Sequence, residues 1–227
     1  MTESADRTPH WMYALMAATA VGITAATILY HQSFLRVLPL YFSLIIALLQ
    51  ARAYRVSYLM GSLNSLLYAV VFFHYRLYGS AAQSLLVSCP IQAVTFFLWT
   101  RRAYGSSTVF RKLTGKQRAW VAAGFAALCA GVFAVLSAAG SQYRVLDTLV
   151  TLMGLLVPAL TLFAFVEYAP LMIVNCIMIL ALYIQMLGQY PEQMTYVIFG
   201  VYSLICGVIG FFRVRELYAR QQKEEKV

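Results

Sequence analysis

Eight stretches of the chain, at about 12–30, 37–51, 56–75, 77–100, 119–143, 148–166, 168–188 and 193–212, contain no Asp, Glu, Lys or Arg. Each approaches or exceeds the roughly 20 apolar residues that cross a bilayer as a helix. Nothing else in the sequence limits the fold so strongly. A backbone in hydrocarbon can satisfy its polar groups only within a helix or a closed barrel, and runs of this length are helical. The chain is 62% hydrophobic and 11% charged, against about half and about a quarter for a soluble domain. The expected fold is an all-α membrane protein of about eight helices. The first run, from Trp11, is read as a retained helix. A cleaved signal peptide would need more basic character than Arg7 supplies and a small-residue cleavage site.

Charge placement gives the orientation. Arg101, Arg102, Arg111, Lys112, Lys116 and Arg118 crowd the loop after the fourth run, and Arg213, Arg215, Arg220, Lys223 and Lys226 crowd the end of the chain. Bases beside spans mark the cytoplasmic side. Four crossings separate these clusters, so both can lie inside, together with Arg52 and Arg55. Arg36, Arg76 and Arg144 fall on the other side. The net charge of +9 is thereby explained by topology and a bacterial inner membrane, with a cytoplasmic C-terminus and no nucleic-acid partner.

Two halves of the chain echo each other. Asn64, set in Leu63-Asn64-Ser65-Leu66-Leu67, and Asn175, set in Val174-Asn175-Cys176-Ile177-Met178, each precede a tyrosine near the next turn (Tyr78, Tyr190). Each half then reaches a phenylalanine pair and a basic end, Phe96-Phe97 before Arg101 and Phe211-Phe212 before Arg213. Three-helix halves joined directly would be inverted, and the span at 119–143 restores a common orientation. The expected domains are a tail and extra helix (1–34), a first three-helix repeat (35–102), a basic loop and linker helix (103–143), a second repeat (144–215) and a cytoplasmic tail (216–227). Parallel repeats of this kind place substrate at the midplane between halves.

Polar residues inside the spans are amides, hydroxyls and tyrosines rather than charges. Asn64 and Tyr68 lie one turn apart on one helix face, with Phe72 a turn further; Asn175 and Tyr183 share another face. Gln92 follows Pro90, and Gln50 sits near the inner end of its span. An unpaired amide in hydrocarbon is costly, so each needs a partner, either a neighbouring helix or a ligand. Together with 16 tyrosines they suggest a ring-lined polar cavity. Asp147 and Glu167 sit at helix starts and read as caps, and His74 is near a span end. Without an ionisable group at mid-depth, passive movement is favoured over ion coupling. Pro39, Pro90 and Pro158 should kink their helices. Gly200, Ser203, Gly207 and Gly210 form a small-residue stripe suited to close helix packing. The four cysteines lack metal-ligand or CxxC spacing. No catalytic motif is present, and neither an enzyme, a cofactor nor a metal is expected.

The segment from Met60 to Tyr68, followed by Leu77-Tyr78-Gly79, Pro90-Ile91-Gln92 and Leu98-Trp99, resembles the first repeat of the PnuC-type vitamin transporters. Asp147 to Thr151, Ile173-Val174-Asn175 and Tyr183 resemble the second, and the likeness covers about residues 35 to 215. It implies a SWEET-like fold of three, one and three helices that moves a nucleoside-like B-vitamin precursor down its gradient, with a cytoplasmic kinase trapping the product. The resemblance implies substrate contacts from Asn64, Tyr68, Gln92, Tyr168, Asn175 and Tyr183. Members that take nicotinamide riboside carry two tryptophans three apart before the second asparagine; the matching places here hold Tyr168 and Leu171. That departure brings in thiamine and riboflavin, with thiamine slightly ahead because tyrosine faces can hold its cationic ring. The other readings are an ion-coupled carrier and a non-transporting scaffold or sensor. A homo-oligomer is compatible with any of them.

Overall fold

Where a backbone lacks water, the turns between helices become the places a chain of this composition can vary, and they set the architecture. The computed structural model describes residues 8–138 and 144–225; Arg7, the segment 139–143 and Lys226 lie outside the described residues. Among the described residues, eight helical segments are long and apolar enough to cross a membrane. They are α1 (His10–Leu29), α2 (Phe34–Ala51), α3 (Val56–His74), a broken span made of α4 (Tyr78–Gln83) and α5 (Cys89–Arg101), α6 (Gly115–Ala138), α7 (Arg144–Leu162), α8 (Tyr168–Leu187) and α9 (Met194–Glu224). The all-helical membrane fold read from the sequence is the fold observed.

The fourth span departs from a simple rod. Between α4 and α5 the chain widens into a π-helical turn at Ser84–Ser88. Pro90 has no N–H to donate and its ring crowds the preceding turn, and a one-turn π widening relieves that conflict while keeping the helix continuous. Pro39 acts differently: α2 runs on through it as one helix, and Ser43 Oγ donates to the Pro39 carbonyl at 2.9 Å.

Helix α3 packs between α2 and α5, and α8 packs between α7 and α9. Across the centre, α2 meets α9 and α5 meets α7. Helix α1 lies outside, against α2 and α9, and α6 packs on α7. Small residues permit the close approaches, as expected where lipid gives helices no hydrophobic reason to associate. A Cβ on Gly210 would stand 3.4 Å from the Ala51 Cα, and one on Gly200 would stand 3.0 Å from Leu180 Cδ1. Tyr202, almost fully buried, donates its hydroxyl to the Leu44 carbonyl at 3.0 Å and pins α9 to α2.

The basic end is closed by a collar. After α5, a two-stranded hairpin forms from β1 (Ala103–Tyr104) and β2 (Ser107–Thr108), paired antiparallel. Its turn uses Gly105 at φ 57°, a left-handed conformation that glycine adopts without steric cost. The hairpin is tied to the α2–α3 turn, where Arg55 N donates to the Ser106 carbonyl at 3.1 Å. Arg111 N donates to Ala164 O and Val166 N donates to Arg111 O, at 2.9 and 2.8 Å, which ties it to the α7–α8 turn. Glu167 does not cap its own helix. Its carboxylate accepts from Leu113 N at 3.2 Å and pairs with Arg118 at 2.7 Å, because the loop brings unsatisfied donors closer than the helix does.

Helix α9 outruns its apolar run by about three turns. Arg213, Glu216 and Arg220 pair at three- and four-residue spacing along it, and no glycine or proline interrupts the segment. The extension carries Gln221, 9% exposed, whose Nε2 donates to Thr108 O and whose Oε1 accepts from Phe110 N, both at 2.9 Å. Gln221→Ala should orphan two buried backbone groups, each worth about 1–3 kcal/mol. The unfolding midpoint in detergent is expected to fall by on the order of 5 °C, whereas the exposed Gln222→Ala should leave it unchanged.

Candidate functional site

A cavity of about 560 Å³ opens between α2, α3, the broken span, α8 and α9, in the half of the bundle away from the basic collar. Two aromatic pairs wall it. On α3, Tyr68 and Phe72 stack with centroids 5.7 Å apart, since residues four apart share a helix face. Across the cavity Tyr183 of α8 and Tyr196 of α9 lie 5.2 Å apart.

The floor is polar. Ser65, Ser84, Ser88 and Gln92 line it. Gln92 Nε2 donates to Ser65 Oγ at 2.9 Å, and Ser65 in turn donates to the Gly61 carbonyl at 3.0 Å. The amide reaches across because Gly61 has no side chain: a Cβ there would stand 1.7 Å from Gln92 Oε1.

A second cavity, of about 230 Å³, lies on the collar side and shares Gln83, Ser88 and Gln92 with the first. These side chains therefore stand between two chambers. Beyond the second chamber the route ends in packed rings. Trp99, 1% exposed, meets Tyr58 edge-on at 4.7 Å, Phe110 at 5.6 Å and Tyr168 at 6.3 Å. Its Nε1 donates to the Thr161 carbonyl at 2.8 Å. The bundle is thus open toward one end and stoppered at the other.

The six residues singled out from the sequence fall in three places. Tyr68, Gln92 and Tyr183 line the larger cavity. Tyr168 belongs to the aromatic stopper. Asn64 and Asn175 are not among the residues lining either chamber. Asn64 donates Nδ2 to Ser43 Oγ at 3.0 Å and to Pro39 O at 3.3 Å, bracing α3 against α2 at Pro39. In both asparagines the side-chain carbonyl is buried without a hydrogen-bond partner. Asn175 is adjacent to Cys176, which does line the cavity.

Sequence reasoning missed Gln83, Ser84, Ser88 and Tyr196. A usable signal existed for part of this set, because Ser84, Ser88 and Gln92 recur every four residues beside Pro90. Tyr196 carried no comparable mark. The charged group at the cavity is Arg36 of α2, and no carboxylate or histidine lines it among the described residues.

Eight apolar spans among the described residues, five of which line an aromatic-walled chamber with an amide-and-hydroxyl floor, define a multi-pass membrane protein with room for a small polar solute. A family model described as nicotinamide mononucleotide transporter matches residues 33–212. The chain belongs to that family, the PnuC-type transporters. Its fold is similar to the crystal structure of the vitamin B3 transporter PnuC, with a TM-score of 0.74 over 92% of this chain and 91% of that one, at 22% identity. A comparison with curated protein sequences finds no match.

Gly61→Ala should displace the Gln92 amide, a flexible tip that can yield at small energetic cost. Transport is expected to drop while the unfolding midpoint stays within a few degrees of wild type. A variant with normal uptake would show that the crossing of Gln92 over α3 has no part in the solute path.

Proposed function

We propose that the protein mediates facilitated uptake of a nucleoside-like B-vitamin precursor. The observation that carries this is the larger cavity: tyrosines from α3, α8 and α9, an amide and hydroxyl floor, and, among the described residues, no carboxylate or histidine lining it. Flat heteroaromatic rings suit such walls, and sugar or alcohol hydroxyls suit such a floor. Absence of a titratable relay favours movement down a gradient over ion coupling.

In this reading Tyr68 and Tyr183 hold the ring and Gln92 bonds the polar end. Asn64 braces α2 at Pro39. Asn175, with its free carbonyl beside Cys176, takes a ligand hydrogen bond when the helix shifts, and Tyr168 gates the collar side. The two similarly packed helix triplets, α2–α3–α4/α5 and α7–α8–α9, act as parallel repeats linked by α6, and rock about the partition of Gln83, Ser88 and Gln92. The collar end and C-terminus face the cytoplasm of a bacterial cell, where a kinase traps the imported vitamin.

Thiamine is placed slightly ahead of nicotinamide riboside. Both carry cationic rings suited to tyrosine faces, and Tyr168 and Leu171 stand where nicotinamide riboside carriers have tryptophans. A specific observation supports a second reading. Arg36 at the mouth of the cavity suits a phosphate, the group that distinguishes a mononucleotide from its nucleoside.

A thermal-shift panel of thiamine, nicotinamide riboside, nicotinamide mononucleotide and riboflavin should stabilise the protein with one class only. A flat response across the panel would remove the vitamin reading in favour of a scaffold. Tyr183→Leu should weaken binding of a cationic ring roughly tenfold, the loss of about 1–2 kcal/mol of ring contact. Arg36→Gln should do so only if the ligand carries phosphate. In vesicles lacking any kinase and held at zero membrane potential, uptake should level at equal inside and outside concentrations. Accumulation above that level driven by an imposed ion gradient at zero potential would establish ion coupling instead.

A further inference from the structure

At the basic end, away from both chambers, a surface pocket of about 480 Å³ lies between the loop before α6, the α7–α8 turn and the lower part of α9. Its lining divides into two kinds. Lys112, Arg118 and Arg215 supply cations, while Val166, Pro170 and Phe211 supply an apolar wall. The division follows the membrane boundary, because the charge-free run of α9 ends at Phe212 and its bases begin at Arg213.

The acids at this end are already engaged. Glu167 pairs with Arg118 within the pocket. Glu216 pairs with Arg213 and Arg220, Glu224 accepts from the Tyr104 hydroxyl, and Glu225 accepts from Gln222. Lys112 and Arg215 have no carboxylate partner among the described residues. Arg215 lies over the Phe211 ring at 5.4 Å, which holds its guanidinium beside the pocket. Three cations against one acid leave the site with surplus positive charge, at the depth where phosphate groups of lipids reside.

We propose that this pocket binds the headgroup of an anionic phospholipid. The phosphate sits between Lys112 and Arg215, with Arg118 held in reach by Glu167, and an acyl chain runs over Phe211 and Pro170 into the bilayer. The apolar wall next to the cations is what favours a lipid over a free anion, since a soluble phosphate would gain nothing from it. Basic pockets between helices on the cytoplasmic side are suited to acidic headgroups. The site is independent of the transported solute. It would fasten the loop before α6 to α9, and so stabilise the collar from its membrane side.

The test compares unfolding midpoints of the full-length protein in phosphatidylcholine bilayers with and without phosphatidylglycerol. Wild type should gain on the order of 5 °C from phosphatidylglycerol. Lys112→Gln/Arg215→Gln should lose most of that gain, and Arg101→Gln/Arg102→Gln, which removes the same charge outside the pocket, should keep it. Equal loss in both double variants would overturn the proposal in favour of diffuse surface charge. A gain that survives Lys112→Gln/Arg215→Gln would also overturn it. Inorganic phosphate added to phosphatidylcholine bilayers should not reproduce the gain; if it does, the ligand is a free anion and the lipid assignment fails. Should the pocket variant fold poorly, Phe211→Ser provides the second reading, because loss of the acyl wall should reduce the phosphatidylglycerol gain with every charge retained.

Discussion

Hydrocarbon offers no water to a broken backbone, and this requirement organises the molecule around its interruptions. Helices that run without a break need nothing from their neighbours beyond close packing. Those that contain Pro39 or Pro90 lose a backbone donor, and polar groups sit beside both prolines. Ser43 and Asn64 gather at Pro39. The π turn at Ser84–Ser88 leads into the segment that carries Gln92. The polar floor of the cavity adjoins the repaired fourth span, so the feature that makes that span imperfect also makes it useful.

The two ends of the bundle are built from different interactions. Toward the open end, rings from α3, α8 and α9 line a space and leave it unfilled. At the collar, rings from α3, α5, α8 and the loop are packed onto one another around Trp99. Phe110 joins the stopper to the α9 extension: its ring is part of the stopper and its N–H is held by Gln221. A displacement of the α9 extension would therefore be felt at the stopper. This coupling passes through hydrogen bonds to backbone, which tolerate less displacement than apolar contacts do.

Much of this architecture was legible in the residues. Charge-free runs gave the spans, and basic clusters gave the two ends. Tyr68, Gln92 and Tyr183 could be singled out because a polar or amphipathic side chain in lipid needs a reason to be there. The same argument selected Asn64, whose amide turns out to brace a neighbouring helix at Pro39. Periodicity tells which residues share a face of one helix and says nothing about which helix that face meets. Glu167 illustrates the limit in another way. Its position at a helix start suggested a cap, yet a loop more than fifty residues away in sequence supplies the donors it accepts.

Composition and spacing alone determined that the chain crosses the membrane about eight times and which end is basic, because each depends on short-range chemistry between a residue and its solvent. Of the three prolines expected to kink their helices, Pro39 and Pro158 lie within continuous helices and a π turn precedes Pro90. Tertiary structure alone decided that Gly61 clears a path for Gln92, that Tyr196 stands opposite Tyr68, and that the chain past Arg213 becomes a clamp for Phe110. Those facts depend on distances between segments far apart in sequence, and only packing fixes them.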